Sequence, residues 1–361
     1  MFIYAKDRGI ASIDFKLVRE MRCFMKIWKG YTKGINLGGW LSQCPYSHAH
    51  YDSFITEKDI EVIASWGLDH VRLPVDHEVI EKTENVNAFA GFKYIDDCIS
   101  WCAKNGLNLI IDLHKAPGFS FHSVDTNSLF DDDELQLRFI QIWKEIAIRY
   151  AKYNDTVAFE LLNEIVEEDS YRWNQLALAT ITEIRKLAPE TKIVIGGIQW
   201  NSVHTLELLD APYDENIVYN FHFYEPFLFT HQKAEWVENM PESHMDYPGK
   251  LEVYRNTAKQ IGAYGSGLNL EELKEMGPQY IEAMITRAIE VANERDVYLY
   301  CGEYGVIEHA PSQSVVNWYK DVNGVFEHYN IGRAAWTYKY MSFGVSDRYE
   351  SSIQPQIISY L

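Results

Sequence analysis

The sequence predicts an α/β fold, a single (β/α)₈ or TIM barrel with a lid or subdomain inserted after the sixth strand. Three observations carry that expectation. From Gly34 onward short apolar runs alternate with helical patterns, eight such runs follow one another, and polar side chains gather just beyond them. The length agrees, since barrels of this kind commonly occupy a chain of 361 residues as one domain.

Residues 34–37 form the first expected strand. Thr56-Glu57-Lys58-Asp59 has the form of a capping box, Ile60, Ile63 and Ala64 make a buried stripe, and Gly67 ends that helix. The second strand is 70–73. Ile95, Cys98, Ile99 and Cys102 then share one helical face up to Asn105-Gly106, and 107–113 is a nearly continuous apolar third strand. Leu135, Phe139, Ile142, Ile146 and Tyr150 mark the helix before strand four, 157–162. Trp173, Ala177, Ile181 and Ile184 mark the next, closed by Pro189 before strand five, 192–196.

Strand six is 217–221. The span from there to the helix marked by Ile281, Met284, Ile285, Ala288 and Ile289 is too long for a plain loop. It is expected to hold the insertion, at about 226–277, rich in aromatic, His and Met residues (FLFTHQKAEW, ESHMDYPG), with one helical pattern around 270–274. Residues 297–301 are strand seven, 315–329 a helix and 332–336 strand eight. Residues 1–24 are expected to lie outside the core fold, because the organised pattern begins just after Met25, so the core domain is 25–361.

With 33 Lys+Arg against 52 Asp+Glu the formal charge is −19, which argues against nucleic acid as a partner. Ten Trp, 24 Tyr and 17 Phe exceed what core packing alone asks for, and flat aromatic faces suit the apolar faces of a pyranose. No stretch has the length of a membrane-spanning helix, so no membrane partner is expected. The N-terminus lacks the uninterrupted apolar core of a signal peptide, which predicts a cytoplasmic protein or export by another route. Five cysteines, an odd number, give no disulfide framework, and Cys98 and Cys102 read as a small apolar pair.

Competing chemistries lack their motifs. There is no G-x-S-x-G elbow, P-loop or G-x-G-x-x-G, and residues 265–270 (GSGLNL) lack the last glycine and follow no strand. Without H-E-x-x-H or a close His/Cys cluster, neither metal nor cofactor is expected. Asp112, His114 and His222 would need further ligands to make a barrel metal site.

Catalytic groups of a barrel sit at the carboxyl ends of its strands. There the sequence offers Arg72, Asp112-Leu113-His114, Asn163-Glu164, His222-Phe223-Tyr224, Glu303-Tyr304 and Trp336. Each has a blander reading: a solvated glutamate, a satisfied core histidine, a structural ion pair for Arg72, core packing for Trp336. Leu113 and Phe223 face the barrel wall by alternation. Two glutamates at opposite points of one ring shift the balance towards a carboxylate pair, and such a pair cleaves glycosidic bonds. The two must differ in environment, and Arg72 with Tyr224 is expected to hold one of them ionised.

The runs GINLGGW, HVRLP, IIDLHKAPG, AFELLNE, NFHFYEP, CGEYGV and AAWTYK, in that order, resemble glycoside hydrolase family 5, retaining cellulases of (β/α)₈ fold, and within it the clostridial endoglucanase C group. The resemblance covers about residues 33–345 and implies a role for each matching position. Glu164 is implied as general acid/base, with Asn163 binding the sugar 2-hydroxyl, and Glu303 as nucleophile. Tyr224 and Arg72 are implied to aim Glu303, His114 and His222 to bind sugar and tune the carboxylates, and Trp336 to floor the subsite of the sugar under attack. Arg72, Asn36 and Trp200 complete the residues expected to bind the sugar. Lys115 stands where relatives often carry a second His, and Trp200 replaces a more polar stretch.

The expected activity is therefore retaining endo-hydrolysis of β-1,4 links in cellulose-type and mixed-linkage β-glucans by a monomer acting on polysaccharide or oligosaccharide. The alternatives are exo-β-1,3-glucanase or mannan-type specificity on the same machinery, or an inactive sugar-binding protein.

Overall fold

A computed structural model of the protein describes residues 25–81, 88–122, 127–261 and 273–361. The expected N-terminal extension 1–24, the tract 265–270 and most of the helical pattern at 270–274 lie outside the described residues.

Eight parallel strands close a barrel: β1 (Lys33–Asn36), β2 (His70–Asp76), β3 (Asn108–Lys115), β4 (Val157–Glu160), β5 (Ile193–Gly196), β6 (Ile217–Phe223), β7 (Tyr298–Tyr304) and β8 (Gly332–Ala335). Hydrogen bonding runs in the order β1-β8-β7-β6-β5-β4-β3-β2, so each strand pairs with its sequence neighbours and β1 closes on β8. Helices Glu57–Ser65, Ala88–Lys104, Asp133–Tyr150, Tyr171–Arg185, Pro278–Glu294 and Ser312–His328 cover the outside. The first begins as the capping box predicts, with the Asp59 carboxylate accepting from the Thr56 N–H at 2.9 Å. It stops at Gly67, whose φ of 80° a residue with a Cβ adopts only under strain.

Alternation along the strands sorts side chains into two cores. Val71, Leu73, Leu109, Ile111, Leu113, Phe221 and Phe223 point outward into the large core under the helices, so Leu113 and Phe223 face the wall as expected. Ile110, Ala158, Val194, Val218, Tyr300 and Ala334 point inward and form a small separate core at the barrel floor, plugged by Trp28 and Tyr31. One step further along the strands the inward positions turn polar: Asn36, Arg72, Asp112, Glu160 and Asn220, every one fully buried. The barrel is thus filled in layers, an apolar floor beneath a polar layer.

Three expectations are corrected. Arg72 does not end its strand: β2 continues to Asp76, which carries Arg72 into the barrel interior. The crossover after β5, where the expected (β/α)₈ pattern implies a helix, is a 3₁₀ turn, Val203–Leu208, entered from β5 through a left-handed turn. Between β6 and Pro278 the described residues hold a short helix, Phe227–Thr230, then a two-residue antiparallel ladder of Gly249–Lys250 with Glu275–Met276, and a helix, Leu251–Ile261. That last helix was not read from the sequence, although Leu251 and Tyr254, three apart and both buried, gave its apolar face. The segment packs on the Ser312–His328 helix, with the Tyr247 hydroxyl 3.0 Å from Asp321.

Candidate active site

A cleft of about 490 Å³ opens at the carboxyl ends of the strands, and Glu164, Glu303, His114, His222, Tyr224, Trp200 and Trp336 line it. Seven of the ten residues singled out from the sequence therefore share one surface. The other three, Arg72, Asn36 and Asn163, are fully buried.

Arg72 sits beneath Glu303 and makes contacts in every direction its guanidinium offers. It is bidentate to Glu160 (Nε–Oε2 2.7 Å, Nη2–Oε1 2.9 Å). Nη1 donates to Glu303 Oε1 at 2.7 Å and to Asn36 Oδ1 at 2.9 Å. Nη2 reaches Asn163 Oδ1 at 2.9 Å and Asp112 Oδ2 at 3.0 Å. One cation thus faces three buried carboxylates. Burial pushes Asp112 and Glu160 up to about 7 even against that charge. Arg72 holds no donor free for a sugar, so the contact expected of it is replaced by a contact with the carboxylate above.

Asn36 is corrected in the same way. Its Nδ2 donates to the carbonyls of Gly302 (2.9 Å), Ala334 and Ala335 (3.2 Å each), and no part of it reaches the cleft. From the other side Asn220 Oδ1 accepts the Gly302 N–H at 2.7 Å. These two amides clamp the chain where β7 breaks alternation. On β7, Phe221 of β6 pairs with Cys301 but His222 pairs with Glu303, so the register slips by one residue. The slip turns Glu303 inward; strict alternation from inward Tyr300 would have put it in the wall. A Cβ on Gly302 would lie 2.7 Å from Asn220 Nδ2. Gly302→Ala is expected to displace Glu303 and lower kcat by about 10²-fold, the cost of a misplacement of roughly 1 Å. Hydrolysis rates with an unchanged circular dichroism spectrum check it.

The two cleft glutamates stand close together. One oxygen of Glu164, one of Glu303 and a ring nitrogen of His222 all lie within 4.8 Å of one another. Their surroundings differ. Glu303 accepts from Arg72 Nη1 and, through Oε2, from the Tyr224 hydroxyl at 2.9 Å. Burial and the Glu303 charge push Tyr224 well above the usual phenol range, so it keeps the proton it donates. Glu164, with a backbone φ of 41°, bonds among the described residues only to His222, whose Nδ1 lies 2.9 Å from Oε1. Burial and then the charge of Glu303 raise Glu164 well above the carboxylate range. Burial raises Glu303 as well, but Arg72 opposes it. The site therefore favours a proton on Glu164 and a charge on Glu303.

Both histidines are neutral. Burial lowers His114 to about 3 and lowers His222 well below its usual value. His114 Nδ1 lies 2.6 Å from Asp112 Oδ2, and its ring lies parallel to Trp336, 4° between planes and 5.6 Å between centroids. Trp200 donates through Nε1 to the Phe121 carbonyl at 3.0 Å, which fixes its ring at the cleft wall.

Glu164, His222 and Glu303 are also the described residues with metal-ligand spacing. A cation there would stand beside a carboxylate already 2.7 Å from a guanidinium, which opposes its binding.

Sequence reasoning missed Glu160, Asn220, Gly302 and the cleft residues Gln43, His231 and Trp236. For Glu160 a signal existed: it is the one charged side chain of an apolar strand and lies two residues beyond Ala158, on the inward face.

Comparison with known proteins adds four findings. Residues 31–342 match the family model described as cellulase (glycosyl hydrolase family 5). Endoglucanase C of Acetivibrio thermocellus is 42% identical over 336 residues, spanning 92% of this chain and 98% of that protein. Cellodextrinase A of Ruminococcus flavefaciens is 40% identical over 307 residues, with 84% of each chain covered. Among solved structures, endoglucanase Cel5A from the hyperthermophilic Thermotoga maritima superposes with a TM-score of 0.71 at 25% identity, covering 95% of this chain and 99% of that one.

Proposed function

The chain belongs to glycosyl hydrolase family 5, the cellulases, and from that premise we propose that it is a retaining endo-β-glucanase, cutting β-1,4-glucosidic bonds of cellulose-type and mixed-linkage β-glucans. One observation carries the mechanistic part: carboxyl oxygens of Glu164 and Glu303 lie within 4.8 Å. Retaining pairs stand about 5–5.5 Å apart, whereas an inverting pair leaves about 6.5–9.5 Å for a water molecule.

In this reading Glu303, ionised beside Arg72 and Tyr224, attacks the anomeric carbon. Its oxygen bonds to C1 as the C1–O bond breaks, and the departing oxygen takes the proton of Glu164. Forming the ester removes the Glu303 charge that held the proton affinity of Glu164 up. Glu164 then serves as base, accepting a proton from the water that attacks C1 and releases Glu303. Trp336, parallel to His114, offers the sugar a flat floor. Asn163 holds a buried Nδ2 with no partner among the described residues, a donor suited to a sugar hydroxyl.

The proton donor marks the leaving side. The aglycone lies towards Glu164 and the loops after β5 and β6, where Trp200 and Trp236 line the cleft. The bound sugar under attack lies over His114 and Trp336.

Proton NMR of fresh digests of barley β-glucan tests the reading: the first-formed reducing end is expected as the β anomer, and an α anomer overturns it. Product lengths from carboxymethylcellulose, lichenan and laminarin separate it from exo-β-1,3 cleavage, which releases glucose from laminarin.

Tyr224→Phe tests the asymmetry of the pair. Losing the hydroxyl removes a bond to the charged form of Glu303 and raises its pKa. The acid limb of kcat/KM against pH is expected to move up by about one unit, since a bond to a charged group contributes about 1.5–3 kcal/mol and 1.36 kcal/mol is one unit. An unmoved limb contradicts it.

A further inference from the structure

Gln199, Trp200 and Asn201, immediately beyond β5, take three successive left-handed backbone conformations, with φ of 54°, 58° and 52°. L-residues visit this region singly and seldom in runs, at about 1–3 kcal/mol each. The surrounding structure holds the turn from both sides of the acid–base pair. The Trp200 N–H donates at 2.9 Å to the carbonyl of Ile165, the residue after Glu164. Ser202 forms a parallel bridge to His222 on β6.

Asn201, between them, is fully buried. Its Nδ2 stands 3.4 Å from His222 Nε2, while its Oδ1 has no partner among the described residues. The side chain fills the space left by Gly196, where a Cβ would lie 2.3 Å from Asn201 Oδ1. A bare glycine therefore admits this amide under the imidazole. The turn carries a cleft-lining indole on one residue and a contact to His222 on the next.

We propose that Asn201 is a positioning residue for proton transfer, fixing His222 as the Nδ1–H tautomer that donates to Glu164 Oε1. The proposal rests on Glu164 being the acid. By donating to Nε2, the amide of Asn201 makes that nitrogen an acceptor, so the single ring proton lies on Nδ1. The imidazole then occupies Glu164 Oε1, and the acid proton sits on Oε2, the oxygen left to face the leaving group. With the opposite tautomer Nδ1 becomes an acceptor, and the Glu164 proton turns inward to it. The proton still moves from Glu164 to the glycosidic oxygen as the C1–O electron pair departs; Asn201 decides where it starts.

Two substitutions keep the left-handed backbone. Asn201→Gly deletes the amide at no conformational cost, and Asn201→Asp retains the shape while replacing the donor with an acceptor. Each is compared with wild type and Glu164→Ala by kcat/KM, which reports the steps up to the glycosyl-enzyme. The substrates are cellotetraose, whose leaving group needs a proton, and 2,4-dinitrophenyl β-cellobioside, whose leaving group does not.

Asn201→Asp is expected to lose about 10²-fold on cellotetraose, the low end of what general acid catalysis supplies, with the dinitrophenyl substrate near wild type. Asn201→Gly is expected to show the same selectivity with a smaller loss. Equal losses on both substrates, or none, while Glu164→Ala remains selective, overturn the proposal and leave Glu164 as the acid. Equal losses in Glu164→Ala overturn the acid assignment and the proposal with it. Should Asn201→Gly fail to fold, Asn201→Asp decides alone.

Discussion

Glu303→Gln is expected to abolish turnover, lowering kcat by about 10⁴-fold or more, or ~5 kcal/mol of transition-state stabilisation. The amide has nearly the shape of the acid, so packing around Arg72 and Tyr224 is kept while the nucleophilic oxygen is lost. Without a bond to C1 there is no glycosyl-enzyme, and the oxocarbenium-like transition state loses its nearest negative charge. Mass spectrometry with a 2-deoxy-2-fluoro cellobioside separates this from indirect damage: wild type is expected to gain the mass of one fluorosugar, and Glu303→Gln none. Turnover close to wild type removes Glu303 from the nucleophile's place.

The second large effect is on stability. Arg72 is the only cation in contact with Asp112, Glu160 and Glu303 among the described residues, and Arg72 and those three side chains are between 0% and 6% exposed. Arg72→Met keeps the apolar stem and deletes the charge, leaving three buried carboxyls without the cation that lets them ionise. Removing one partner of a buried ion pair costs about 3–5 kcal/mol, and urea unfolding at pH 7 is expected to show a loss of that order.

Its pH dependence has a fixed sign. Asp112 and Glu160 already titrate near 7 when folded, above their ordinary values, and Arg72 is what lowers them. Without it their folded pKa values rise further. The unfolded chain then releases its protons at lower pH than the folded one, so stability falls as pH rises through that window. The penalty is expected to be small below about pH 6, where Asp112 and Glu160 are protonated in the folded protein with or without Arg72, and to grow as pH rises through 7 and above. A penalty independent of pH would mean that Arg72 matters through packing alone.

The two substitutions report on one arrangement. In the proposed reading Glu303 is reactive because its charge is held by a guanidinium it shares, and that guanidinium is fixed in place by Glu160 from below. Catalytic readiness and barrel stability therefore draw on the same buried residues.

Much of this was legible in the chain itself. The strands, the helix faces and the positions of Glu164, Glu303, His114, His222, Tyr224 and Trp336 follow from local periodicity, because a strand or helix writes its buried face into residues two, three or four apart. The family motifs added the implied roles. What periodicity does not encode is register, and register decided the rest. The slip at Gly302 that turns Glu303 inward depends on β6 and β8, the sharing of Arg72 on side chains from β1, β2, β3, β4 and β7, and the left-handed turn at 199–201 on the loop after β4 and on β6. Asn36 and Arg72 were expected to touch sugar for the same reason: a sequence shows that a polar residue lies on an inward face, and only the closed barrel shows which layer it occupies.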